Sequence, residues 1–142
     1  MREIIEIVAL AIAGPMVGVE IAVGAFTNPI LGRLPDDAFR QARSDGSRLL
    51  GRVMPFWYIA TFVVLIVAAF LTWENWLIIA AAAVLGVVVL MTVTLMVPIN
   101  NRIGGWTDAV DRDLARRWDR LHGLRVILLL AMVVLLAAGV SK

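Results

Sequence analysis

Residues 53–73 read VMPFWYIATFVVLIVAAFLTW and residues 76–99 read WLIIAAAAVLGVVVLMTVTLMVPI, with only Glu74-Asn75 between them. Neither stretch carries a charged side chain. A helix crosses the hydrocarbon core of a bilayer with about 20 mainly apolar residues, and each stretch supplies that length. Two such helices joined by so short a turn must run antiparallel. Trp73 and Trp76 flank the turn, where amphipathic rings settle at headgroup depth.

Working outward, two further segments have the same character. Residues 4–26 are apolar apart from Glu6, Pro15 and Glu20, and residues 124–140 are apolar apart from Arg125. The whole chain of 142 residues is 61% hydrophobic, with a mean hydropathy of +0.90. Soluble domains hold roughly 45–50% apolar residues, and a chain this short has too much surface to hide the excess. Lipid must cover it. The expected fold is an all-α, integral membrane four-helix bundle formed as a single domain, residues 1–142. Its spans lie at about 4–26, 53–73, 76–99 and 124–140. The first segment does not read as a cleaved signal peptide, because Arg2 is answered by Glu3 and Glu6 and the apolar stretch is interrupted by Glu20.

The arginines set an orientation. Arg33, Arg40, Arg43, Arg48 and Arg52 lie between the first two spans, and Arg102, Arg112, Arg116, Arg117, Arg120 and Arg125 lie between or at the edge of the last two. These are eleven of the thirteen basic residues. The positive-inside rule places both connections in the cytoplasm and both termini outside, in a multi-pass cell (inner) membrane protein. Use of arginine over lysine, with Lys142 the one exception, reads as a habit of GC-rich bacteria. The arginine-rich segments suit contact with anionic lipid headgroups, and nothing points to a nucleic-acid partner. A homo-oligomer is compatible with the sequence.

Within the connections, Pro35-Asp36-Asp37 reads as a helix start, with acids at the positive end of the dipole, and Gly46 as that short helix's end. Val110, Leu114, Trp118 and Leu121 recur at helical spacing on a charged segment from Thr107 to His122. An amphipathic surface helix running on into the last span follows. Pro15 is expected to kink the first span.

Polar residues gather in the cytoplasmic half. A carboxylate at bilayer depth faces a cavity or a partner, so Glu20 is either a functional base or clamp or one half of an ion pair with Arg102 or Arg125. His122 is the only histidine. With Trp118 and Arg125 it falls at i, i+4, i+7, on one helix face. A residue that titrates near neutrality suits proton transfer, and its place at the expected mouth of the bundle favours it over the deeper Glu20 as a base; the plainer reading is a hydrogen bond to a carbonyl or headgroup. Asn100-Asn101-Arg102 closes the third span, where amides and a guanidinium serve free helix carbonyls or hold an oxyanion. There are no cysteines, which removes thiolate nucleophiles and Cys-ligated metals. His122, Glu20 and Asp119 carry no metal motif, and a haem would have His122 as its sole axial ligand. The sequence leaves a metal or haem open without supporting either.

The run Pro98-Ile99-Asn100-Asn101-Arg102, followed by Trp118-x-x-x-His122-x-x-Arg125, resembles the anthrone oxygenase-like family of small four-helix membrane proteins. Asn28-Pro29 and Arg52-Val53-Met54-Pro55 fit it more loosely. The resemblance implies a monooxygenase that converts a lipophilic aromatic, anthrone-type substrate with O2 as co-substrate and no cofactor. It implies His122 or Glu20 as base and Asn100, Asn101, Arg102 or Arg125 as oxyanion donors. Trp57, Tyr58, Trp118 and Asn28 would contact the substrate, with the aromatics stacking on its rings. Many members have no known substrate, so a non-catalytic membrane module that binds a lipid, quinone or partner protein stands as the alternative. A transporter is disfavoured by the apolar outer half and the lack of broken midplane helices.

The cysteine-free chain makes the orientation directly measurable. A cysteine at Asp111 should be labelled by an impermeant thiol reagent from the cytoplasmic side only, and one at Ser141 from the outside; the reverse pattern inverts the topology.

Overall fold

The computed structural model describes every residue from Met1 to Lys142. Four helices carry the chain: α1 (Arg2–Leu31), α2 (Asp36–Leu71), α3 (Trp76–Gly104) and α4 (Arg112–Val140). There are no strands. Each helix is long and apolar enough to cross a membrane.

The helices overrun the spans read from hydropathy. At 1.5 Å per residue the 36 residues of α2 reach about 54 Å, well beyond a hydrocarbon core of about 30 Å. Asp36 and Asp37 do occupy its first turn. The short helix does not end at Gly46, however; α2 runs unbroken through Gly46 into the span. A helical glycine costs about 1 kcal/mol, and contacts made by the extension outweigh it. Ser44 Oγ and Arg48 Nε both donate to the Gly104 carbonyl at the end of α3, at 3.1 and 2.8 Å.

The stripe before the last span is helical and continuous with it, but it begins at Arg112 rather than Thr107. Asp111 caps the helix by accepting from the Leu114 amide at 2.9 Å, the usual service of an aspartate at that position. Val110 therefore lies ahead of the helix. Arg112 ties this start to the first connection: it pairs with Asp36, donates to the Leu34 carbonyl at 2.9 Å and sits 4.2 Å from the centre of the Phe39 ring.

Pro15 lies within the regular part of α1. The departures from α-geometry come elsewhere. At Val23–Thr27 in α1 and Thr92–Met96 in α3 the backbone widens by a residue, and the amides of Asn28 and Val97 bond carbonyls five positions back. Such π turns are frequent at functional sites.

Two apolar clusters hold the bundle. The larger one runs through the membrane from Ala9, Ala13 and Met16 to Leu65, Ala81, Leu85, Leu129 and Leu136. The smaller joins Met96, Ile99, Ile103, Leu114 and Trp118 where α3 meets the start of α4. Phe26, Phe56, Phe70, Ile127 and Val134 face outward, as lipid contact requires. Small residues set the helix spacing. The tightest approach is at Gly139 in α4, where an added Cβ would lie 2.7 Å from Ile78 Cγ1 and 3.4 Å from the Ile78 amide. Asn75 caps α3 through the Leu77 amide and donates to the Gly139 carbonyl at 2.9 Å.

Gly139→Ala should therefore force α3 and α4 apart. Overpacking of this kind costs about 1–3 kcal/mol, readable as a lower unfolding temperature in detergent; an unchanged value would show that the contact yields freely.

Candidate functional site

Glu20, three residues before the π turn of α1, has its side chain 3% exposed. Its carboxylate is held from two other helices. Tyr58 Oη on α2 donates to Oε1 at 3.0 Å, and Arg125 Nη2 on α4 donates to Oε2 at 2.7 Å. Arg125 Nη1 reaches α3 at Thr92 Oγ1, 3.5 Å away. The ion pair thus draws all four helices to one point. An acid and a base that neutralise each other are the affordable way to keep charge at this depth.

His122 completes the cluster. A guanidinium only donates and a backbone carbonyl only accepts. Arg125 Nη2 lies 3.0 Å from His122 Nδ1, and His122 Nε2 lies 2.9 Å from the Glu20 carbonyl. These partners assign the neutral ring with its proton on Nε2, donating to Glu20, and an accepting lone pair on Nδ1. Glu20 Oε2 is 3.3 Å from that same Nδ1, so a proton arriving there would meet a carboxylate. The ring fits only because residue 24 is glycine: a Cβ there would stand 3.1 Å from His122 Cδ2 and 3.3 Å from Nε2.

Trp118 stacks on His122, with centroids 4.8 Å apart and planes 12° from parallel. The guanidinium of buried Arg43 lies 5.2 Å from the Trp118 ring centre. Arg43 is in turn fixed by Asn28 Oδ1 at 2.8 Å, Asp119 Oδ1 at 2.9 Å and the Ala115 carbonyl at 3.4 Å.

Beside this cluster is a cavity of about 280 Å³, walled by apolar side chains such as Phe62, Met54, Val89 and Met96, with Glu20, Tyr58, Thr92, Trp118, His122 and Arg125 on it as well. That is the small end of the range for small-molecule sites, and an apolar slot with a few convergent polar groups is their usual composition. Arg125 Nε is buried without a partner. Of possible metal donors, only Glu20 and His122 meet on the cavity; no three His, Asp or Glu side chains converge.

Of the residues singled out from sequence, Glu20, Tyr58, Asn100, Asn101, Trp118, His122 and Arg125 border the cavity. Asn100 Nδ2 donates to the Ser47 carbonyl at 3.1 Å. Four residues lie differently from the sequence reading. Arg102 is exposed and pairs with nothing; successive helical residues are about 100° apart, so 100, 101 and 102 cannot all face one cavity. Trp57 turns to α1, donating to the Ile12 carbonyl at 3.1 Å, because its neighbour Tyr58 takes the inward face. Asn28 serves Arg43 instead of bordering the cavity. His122 does not sit at a mouth either: it is 1% exposed against 2% for Glu20. Sequence reasoning missed Thr92 as a partner of Arg125, Gly24 and Arg43. Thr92 left a signal, a hydroxyl in a span without charge; Gly24 and Arg43 left none.

The family model for anthrone oxygenase matches residues 39–135, a stretch that includes every cavity residue of α2, α3 and α4 and starts after Glu20. No curated protein and no solved structure matches the chain.

Removing one partner of a buried ion pair leaves the other charge stranded, at about 3–5 kcal/mol. Glu20→Ala should strip the protein of most of its stability while Glu20→Gln, which keeps the Tyr58 bond, should be milder. Thermal unfolding of the two in detergent checks the order, and equal losses would remove the ion pair as the organising contact.

Proposed function

The chain belongs to the anthrone oxygenase family, and from that premise we propose that it is a membrane-embedded monooxygenase. It takes a lipophilic aromatic of the anthrone type and O2, without a bound cofactor. The observation that carries this reading is the meeting, on one apolar cavity, of an accepting imidazole nitrogen and a guanidinium.

The chemistry asks for a base and an oxyanion clamp. The methylene opposite the carbonyl of an anthrone gives up a proton to leave an enolate delocalised over three rings. His122 Nδ1 takes that proton; the imidazolium so formed has Glu20 Oε2 at 3.3 Å to stabilise it, as a carboxylate does for histidine in hydrolytic triads. Arg125, whose hold on Thr92 at 3.5 Å is its longest bond, turns to the enolate oxygen; Asn100 and Asn101 line the cavity further along α3, about two helical turns from Thr92. The electron-rich carbon then reduces O2 and forms a C–O bond. Imidazolium returns its proton to give the hydroperoxide. Loss of the second C–H proton breaks the O–O bond, leaving a carbonyl and water. CH2 and O2 become C=O and H2O with no net proton, so the base needs no route to bulk water and its burial is no obstacle.

A binding module for lipid, quinone or partner protein is the second reading, favoured by one fact: Tyr58, Glu20 and His122 already satisfy one another, as a purely structural network would. We place the protein in the cell membrane of a bacterium, with both termini outside and its arginine-rich connections on anionic lipid.

General-base removal typically lowers rates about 10²–10⁴-fold. His122→Ala should keep the fold and lose O2 consumption on an anthrone by that order. Arg125→Lys should also lose turnover, since an ammonium cannot hold Glu20 and an oxyanion in one planar fork. Equal rates in wild type and His122→Ala would remove His122 from the chemistry; no uptake in wild type would favour the binding module.

A further inference from the structure

The cavity is lined by all four helices, but its lining is exposed on two of them alone. On α2 the exposed lining residues are Gly51, Pro55 and Ile59; on α3 they are Val93, Val97 and Asn101. Each set is spaced i, i+4, i+8, so each forms a single ridge along its helix. Lining residues from α1 and α4 are buried or half-buried. Two facing ridges with the cavity behind them describe a slot running along the bundle, parallel to the helices. It starts at the end of the spans nearer the arginine-rich connections, at Gly51 and Asn101, and opens along the side of the bundle from Pro55 to Ile59 and from Val97 to Val93.

The rims are apolar where they are most open. Ile59 is 62% exposed, Val93 60% and Val97 41%. All three lie in the stretches without charge that span the membrane, so the medium outside the slot is hydrocarbon. Both helices are also irregular along it. Pro55 has no amide for the Gly51 carbonyl, and the π turn at Thr92–Met96 widens α3 between and beside Val93 and Val97. Each irregularity gives its helix room to bow without breaking a regular hydrogen bond.

We propose that the slot between α2 and α3 is a lateral portal, through which an uncharged polycyclic aromatic ketone or quinone dissolved in the lipid enters the cavity and leaves it. This rests on the reading of the cavity as a substrate site and adds the route and a selectivity. A flat apolar molecule passes between Ile59 and Val93 edge first and meets Arg125, His122 and Tyr58 only once inside. A charged analogue must shed its water before it reaches them, and hydrocarbon offers nothing in return. The slot therefore selects neutral substrates before any polar group recognises them.

A portal residue changes both rates of exchange and leaves the affinity alone, whereas a site residue changes the affinity, mostly through the off-rate. The test is stopped-flow quenching of tryptophan fluorescence by 9,10-anthraquinone, with the full chain in lipid nanodiscs. The variants are Ile59→Phe/Val93→Phe, which narrows the slot without adding a tryptophan, Val93→Ala, which widens it, and Val87→Phe as a lipid-facing control on α3. The narrowed slot should lower the association and dissociation rates together by about tenfold, with a much smaller change in Kd from the contact these rim side chains make with the bound ligand. Val93→Ala should raise both, Val87→Phe should change neither, and anthraquinone-2-sulfonate should not bind. Binding by wild type with rates indifferent to the rim variants, or equal binding of the sulfonate, overturns the portal while leaving the site standing. Rim-dependent rates without O2 consumption keep the portal and remove catalysis. No binding of anthraquinone by wild type overturns both.

Discussion

A carboxylate and a guanidinium 2.7 Å apart in the middle of an apolar bundle constrain everything around them. Neither ion is tolerable alone at that depth, so α1 and α4 are held in the register that keeps Glu20 and Arg125 together. Tyr58 on α2 donates to the other carboxylate oxygen, and Thr92 on α3 accepts from the other terminal nitrogen of Arg125. The bundle has few other interhelical polar contacts in the span; van der Waals packing of small residues supplies adhesion along its length. The ion pair supplies what packing lacks, a directional preference for one arrangement.

The backbone gives way where the cluster needs space. Gly24 lets the imidazole lie on α1, and its position inside a π turn is a local surrender of regular geometry one turn from Glu20. The second π turn opens at Thr92 itself. Both irregularities sit beside the cavity. Such concentration is what a site imposes on helices whose lengths elsewhere are regular. Outside the membrane, Arg43, Arg112 and Arg48 anchor the long helical extensions to one another, so Trp118 and His122 rest on a braced platform.

The amino-acid pattern by itself determined the architecture. Segments of about 20 apolar residues have no stable place but a bilayer, and this holds regardless of how they pack. It also marked the polar cluster: Glu20 was legible because an ionisable residue in hydrocarbon is conspicuous, and their spacing put Trp118, His122 and Arg125 on one face. Helix ends were legible only in part, since hydropathy reports where lipid begins and not where hydrogen bonding stops; hence Gly46 lies inside α2 and α4 starts at Arg112, after Val110.

What only the tertiary structure decided is direction. Whether Glu20 pairs with Arg102 or Arg125 depends on rotation about the helix axes, and a π turn five residues long changes that rotation without leaving any mark in composition. The same holds for Trp57 and Tyr58, adjacent in sequence and opposite in role, and for Asn28, drawn away from the cavity by Arg43. Gly24 is one of eleven glycines, and its meaning exists solely in the 3.1 Å between an absent Cβ and His122. Apolar surface obliges a chain to choose a solvent, which is a property of segments; a site is a set of distances between segments, and those are set by packing.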